Sequence, residues 1–116
     1  MSTMIEATFL KSQKKGYYKI VVKGHSHFAP KGKDIVCSAV SSIVLANVNG
    51  CIEILKAEHS LEQKEGYLEF EVLNNNEEVT KGCSLLLQTA YLALKELESQ
   101  YPKYVKVEVK EDEVNI

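Results

Sequence analysis

Proline and glycine are scarce, at 2 and 6 of 116 residues, which excludes a collagen-like or low-complexity chain. No charge of one sign dominates: 14 Lys+Arg stand against 16 Asp+Glu, a net charge of −2. A broad positive field of the kind that draws a protein onto phosphate backbones is missing, so nucleic acid is disfavoured as a direct ligand. Cysteine occurs three times, at Cys37, Cys51 and Cys83, an odd number at wide spacing that makes no disulfide framework. The opening residues, Met1-Ser2-Thr3-Met4-Ile5-Glu6, lack the basic region, apolar run and small-residue cleavage site of a secretory leader. A cytoplasmic protein is expected. What is present is core-forming material: 45% hydrophobic and 26% charged residues, on a length suited to one domain, 1–116.

From Ile35 to Ile52 no side chain is charged, and that length approaches a bilayer span. Ser38, Ser41, Ser42, Asn47, Asn49 and Gly50 interrupt it, Asp34 and Glu53 bracket it, and the interfacial aromatic belt is missing. The stretch reads as a helix mostly covered by protein, with no membrane partner.

Periodicity gives the order of elements. Ile5, Ala7 and Phe9 alternate with Glu6 and Thr8, and Tyr18, Ile20 and Val22 with Lys19 and Lys23, across a Gln13-Lys14-Lys15-Gly16 turn. Gly24 to Lys33, with two glycines, a proline and two histidines, is a loop by composition. Val36, Val40, Val44 and Val48 then recur at i+4 spacing, predicting a helix from Asp34 to about Lys56 with a weak point at Gly50. A second hairpin follows: a short run over 57–61, a Lys64-Glu65-Gly66 turn, then Leu68, Phe70 and Val72 alternating with Glu69 and Glu71. Asn74 to Asn76 offer caps for a second helix whose stripe is Val79, Leu86, Ala90, Leu94 and Leu97, ending before Pro102. Val105, Val107 and Val109 form the last strand. The order ββαββαβ, with charged residues at alternate strand positions, predicts a two-layer α+β domain. It has one mainly antiparallel sheet with two helices packed on one face.

The chemistry concentrates between Gly24 and Ser41. With Asp34 as the cap, Cys37 falls in the first helical turn, where unpaired N–H groups and the macrodipole favour a thiolate. The amides of Cys37 and Ser38 would then face an oxyanion developing on a substrate carbonyl. His25, carried over the helix end by the loop, completes a Cys/His pair.

Gly24-His25, a short glycine-containing loop, and Asp34-Ile-Val-Cys-Ser-Ala-Val-Ser41 resemble the signature of the bacterial ribosomal-processing cysteine protease family, Prp. Chain length and element order are similar along nearly the whole sequence. The resemblance implies a small, commonly dimeric α/β endopeptidase that needs no cofactor. It would remove a short N-terminal extension from the precursor of a large-subunit ribosomal protein, the twenty-seventh in that subunit's naming, so that ribosomes assemble. On this pattern His25 is the catalytic histidine and Cys37 the nucleophile. Asp34 and Ser41 occupy the motif's other polar positions, and Gly24 and Gly32 flank a loop able to open for a peptide. His27, where the family more often has a non-titratable residue, is a second candidate base.

Each of these residues also has a plainer reading. His27 and Ser26 decorate a loop, Ser38 and Ser41 fill close-packed space or line the site, and Asp34 only caps. Cys51 and Cys83 are core fillers, and His59 is a partly exposed sheet residue. Two rival functions remain open. One is a zinc module built on His25, His27, Cys37 and His59, although no Cys-x-x-Cys accompanies them. The other is a non-catalytic ribosome-assembly partner using the long uncharged helix as an interface. A homodimer is expected from that helix in any case.

Overall fold

The computed structural model describes residues 4–24 and 31–112, with the side chains of 31–34 outside the description. Strands β1 (Ile5–Ser12) and β2 (Gly16–Lys23) form the first hairpin. Helix α1 (Lys31–Asn49) continues into a π-helical turn, Gly50–Ile54. Strands β3 (His59–Lys64) and β4 (Tyr67–Val72), helix α2 (Glu77–Gln100) and strand β5 (Val105–Glu111) complete the order. The architecture is the expected α+β arrangement.

The five strands lie in the order β3-β4-β2-β1-β5. All neighbours are antiparallel except β1 and β5, which run parallel with Ile5 opposite Val105 and Phe9 opposite Val109. That parallel pair requires a long crossover, and α2 supplies it. Ile5, Ala7, Phe9, Ile20, Val22, Leu68, Phe70, Val72, Val105 and Val107 point to one face and are buried. They form a single core cluster with Val36, Val40, Val44 and Val48 of α1 and Cys83, Leu87, Ala90 and Leu94 of α2. Both helices therefore cover the same side. The other face carries Lys19 between Glu69 and Glu71, at 3.2 and 3.5 Å.

Helix α2 begins at Asn76, whose side-chain oxygen accepts the Val79 N–H at 2.9 Å. Glu77 and Glu78 sit in its first turn, where carboxylates complement the macrodipole. At its far end Glu98 accepts the Val107 N–H at 2.8 Å, tying helix to strand.

Three local features depart from the sequence reading. First, β2 carries a bulge: Leu10 pairs with Lys19 and Lys11 with Tyr17, leaving Tyr18 over. Tyr17 therefore takes the inner position and packs on Phe9 and Tyr91, with ring centroids 6.2 and 5.9 Å away. Tyr18 donates its hydroxyl to Asp112 at 2.6 Å. Second, the first helix does not stay α-helical to Lys56. It widens at Gly50, where the Leu55 N–H bonds the Gly50 carbonyl at 3.1 Å, and Lys56 turns the chain with φ +56°. Third, the stretch from Ile35 to Ile54 is long and apolar enough to cross a membrane by length and composition, yet fewer than half of its positions are buried. Its valine ridge faces the core, while Ile35, Ser38, Ser42, Ala46 and Asn49 face outward. It is thus less covered than expected.

Candidate functional site

Gly24 ends β2 and sets the direction in which the chain leaves the sheet. Its φ is +90°, a region that side chains other than glycine rarely enter. A Cβ there would stand 2.5 Å from the Met4 carbonyl oxygen. The Gly24 N–H donates to the Gly66 carbonyl at 3.0 Å, so the strand end is pinned to the β3–β4 turn. The first link after this fixed point is His25. His25 and His27 themselves lie outside the described residues.

The helix bearing the cysteine starts earlier than the sequence suggested. Lys31 opens α1, so Gly32 lies inside the helix rather than at a loop end, and Asp34 stands fourth in it rather than at the cap. Proline is favoured at helix starts, and Pro30 immediately before Lys31 was the overlooked signal.

The shift changes the chemistry at Cys37. As seventh residue of α1 it lies in the second turn, and the unpaired N–H groups belong to the first four positions. The amides of Cys37 and Ser38 are thus committed to intrahelical bonds and do not form an oxyanion hole. Cys37 is also buried at 5% exposure, within the core cluster.

One turn further along the same face, Ser41 is half-buried. It lines a narrow crevice of about 20 Å³ together with Val22, Val40, Val44, Leu45 and Leu68. Val22 is two residues before Gly24. The crevice therefore lies between the last residues of β2 and the part of α1 from Val40 to Leu45, one turn beyond Cys37. Ser38 is exposed and does not share it. Nothing in the sequence marked Val22, Leu45 or Leu68 as neighbours of the site, because their approach depends on sheet order.

A much larger cavity, about 770 Å³, opens between the β1–β2 turn and the start of α2. None of the candidate residues lines it. His59 lies at the start of the edge strand β3, its Nδ1 bonded to the Ala57 carbonyl at 2.8 Å and its ring beside Phe70. That engagement ties one ring nitrogen to the backbone and leaves the residue a partly exposed sheet position.

The family described as cysteine protease Prp matches residues 4–106. The ribosomal processing cysteine protease Prp of Bacillus subtilis is 32% identical over 107 residues, covering 90% of this chain and 96% of that protein. The Prp of Mycoplasma pneumoniae is 28% identical over 95 residues, or 79% and 87% of the two chains. Among solved structures, a Streptococcus mutans protein superposes with a TM-score of 0.83 at 24% identity, covering 95% and 97%. The essential ribosomal processing protease Prp of Staphylococcus aureus, in complex with a substrate peptide, gives 0.79 at 19% identity, covering 92% and 100%. The fold is that of these structures. By the match along nearly its whole length, the chain belongs to the cysteine protease Prp family, and it is a cysteine protease.

Proposed function

We propose that this protease is a cytoplasmic endopeptidase that removes the N-terminal extension from the precursor of a large-subunit ribosomal protein, the twenty-seventh, with Cys37 as nucleophile and His25 as its proton-transfer partner. The carrying observation is the family match over residues 4–106, which spans both side chains. Relatives bear the name ribosomal processing protease, and the Staphylococcus aureus protein has been captured with a substrate peptide.

In this reading Cys37 Sγ attacks the carbonyl carbon of the scissile bond while His25 takes the thiol proton. His25 then protonates the departing amine, leaving a thioester on Cys37. Water attacks that thioester, giving its proton to His25, and the thiol is regenerated. Because Cys37 is 5% exposed, the side chains over it must yield when the peptide enters. Oxyanion stabilisation falls to donors other than the Cys37 and Ser38 amides. Ser41, one turn from Cys37 and lining the crevice, is a supporting residue. Gly24 is a positioning residue, since it fixes where His25 begins. The enzyme acts as a homodimer in which a second copy covers the uncharged outer face of α1.

Incubation with the full-length precursor tests this. The wild-type protein is expected to give one new N-terminus, and Cys37→Ala to slow cleavage by at least about 10³-fold with the circular dichroism spectrum unchanged. Cleavage by Cys37→Ala at the wild-type rate would overturn the assignment.

A further inference from the structure

Two dipeptides of the same kind meet where α1 gives way to its π-helical turn. Gly50-Cys51 lies on that turn, and Gly82-Cys83 in the second turn of α2. The two backbones approach closely because each glycine leaves room for the other element's leucine. A Cβ on Gly50 would meet Leu86 Cδ1 at 2.9 Å, and one on Gly82 would meet Leu55 Cδ1 at 2.7 Å. Leu55 follows Cys51 on its own element, and Leu86 follows Cys83 on its own, so the contact is reciprocal. The same contact holds two thiols. Both are free, both are at 0% exposure, and each is the strongest electrostatic neighbour of the other. The proteolytic mechanism uses neither.

We propose that Cys51 and Cys83 are a redox modification site: two thiols in the reduced protein, and a disulfide clamping the end of α1 to α2 after exposure to a peroxide. The neighbouring Cys83 thiol, followed by burial, pushes the Cys51 thiol up, while the Cys51 thiol holds Cys83 below its ordinary value. Either sulfur can attack first. It takes one oxygen of hydrogen peroxide, the O–O bond breaks, and the products are a sulfenic acid and water. The other sulfur then attacks the sulfenic sulfur and loses its proton, and a second water leaves as the S–S bond forms. Two thiols give up two electrons and two protons, and one peroxide becomes two waters. With both sulfurs buried, the reaction proceeds through local opening of the α1–α2 contact.

The test is peptide mapping of the whole chain after hydrogen peroxide treatment, unfolding and alkylation of the remaining thiols. Wild-type and Cys37→Ala proteins are both used, so the outcome does not depend on the protease reading. A linked pair of peptides containing Cys51 and Cys83, two hydrogen atoms lighter than the free thiols, is expected in both. Dithiothreitol should remove it, and the thermal midpoint should be higher in the oxidised form than in the reduced one. Recovery of Cys51 and Cys83 as alkylated thiols or as separate sulfinic acids, while methionine sulfoxide shows that peroxide acted, would overturn the proposal.

Discussion

At the scale of single residues, Gly24 and Cys37 carry the account. Gly24 combines a positive φ with a backbone oxygen in the space a side chain would need. Gly24→Ala is therefore expected to cost about 2 kcal/mol in urea unfolding, from left-handed strain together with the Met4 clash. Precursor cleavage should fall further than the folded fraction does, because His25 is displaced with the strand end. Equal stability and activity in the variant would contradict the positioning role. The requirement for glycine before the histidine was legible in the sequence only as a dipeptide. Its physical cause, the Met4 carbonyl, comes from a strand that lies nearby only once β1 and β2 pair. Cys37 is the opposite case. The chain reads it correctly as the start of a valine-rich helix, but its 5% exposure depends on how α1 lies across the sheet, which no local spacing encodes.

At the scale of elements, hydrophobic alternation located four of the strands, the mostly exposed β3, expected at 57–61, lies at His59–Lys64, and the valine ridge located the first helix. Boundaries followed less well, for identifiable reasons. Gly32 and Pro30 both count toward a loop by composition, although proline is favoured at a helix start and a helix tolerates glycine for about 1 kcal/mol. In α2 the sequence stripe caught Ala90 and Leu94, and Cys83 reads separately as a core filler, but the stripe passed over Leu87, which is wholly buried. Gly82 lets Leu55 approach this part of the helix closely. The cap was legible outright. Asn76→Ala removes the acceptor for the Val79 N–H and is expected to destabilise the protein by about 1 kcal/mol in thermal or urea unfolding. Asn76→Asp should retain nearly all of the stability, and an unchanged midpoint for the alanine variant would show that the cap contributes nothing.

At the scale of the whole molecule, the sequence yields two layers but not the strand order, since β5 reaches β1 only by crossing behind two strands. That crossover places α2 against the sheet and sets α1 beside it with one face uncovered. Ile35 is 62% exposed and Ile54 79%, with Ser38, Ser42, Ala46 and Asn49 between them. No charge lies on that face from Ile35 to Asn49, and covering it with a second copy removes apolar surface from water without stranding an ion. Sedimentation at micromolar concentration is expected to give the mass of a dimer. Ile35→Glu should shift it toward monomer, and a wild-type monomer would contradict the pairing.

The most direct measurement of the central claim is active-site trapping. A peptide carrying the precursor's cleaved sequence and ending in a thiol-directed electrophile is added to the folded enzyme, and the adduct is mapped by mass spectrometry. A single adduct on Cys37 that extinguishes cleavage, with Cys51 and Cys83 unlabelled and labelling slowed by His25→Ala, is the expected result. Complete inhibition with Cys37 unmodified, or an adduct on another cysteine, would contradict it.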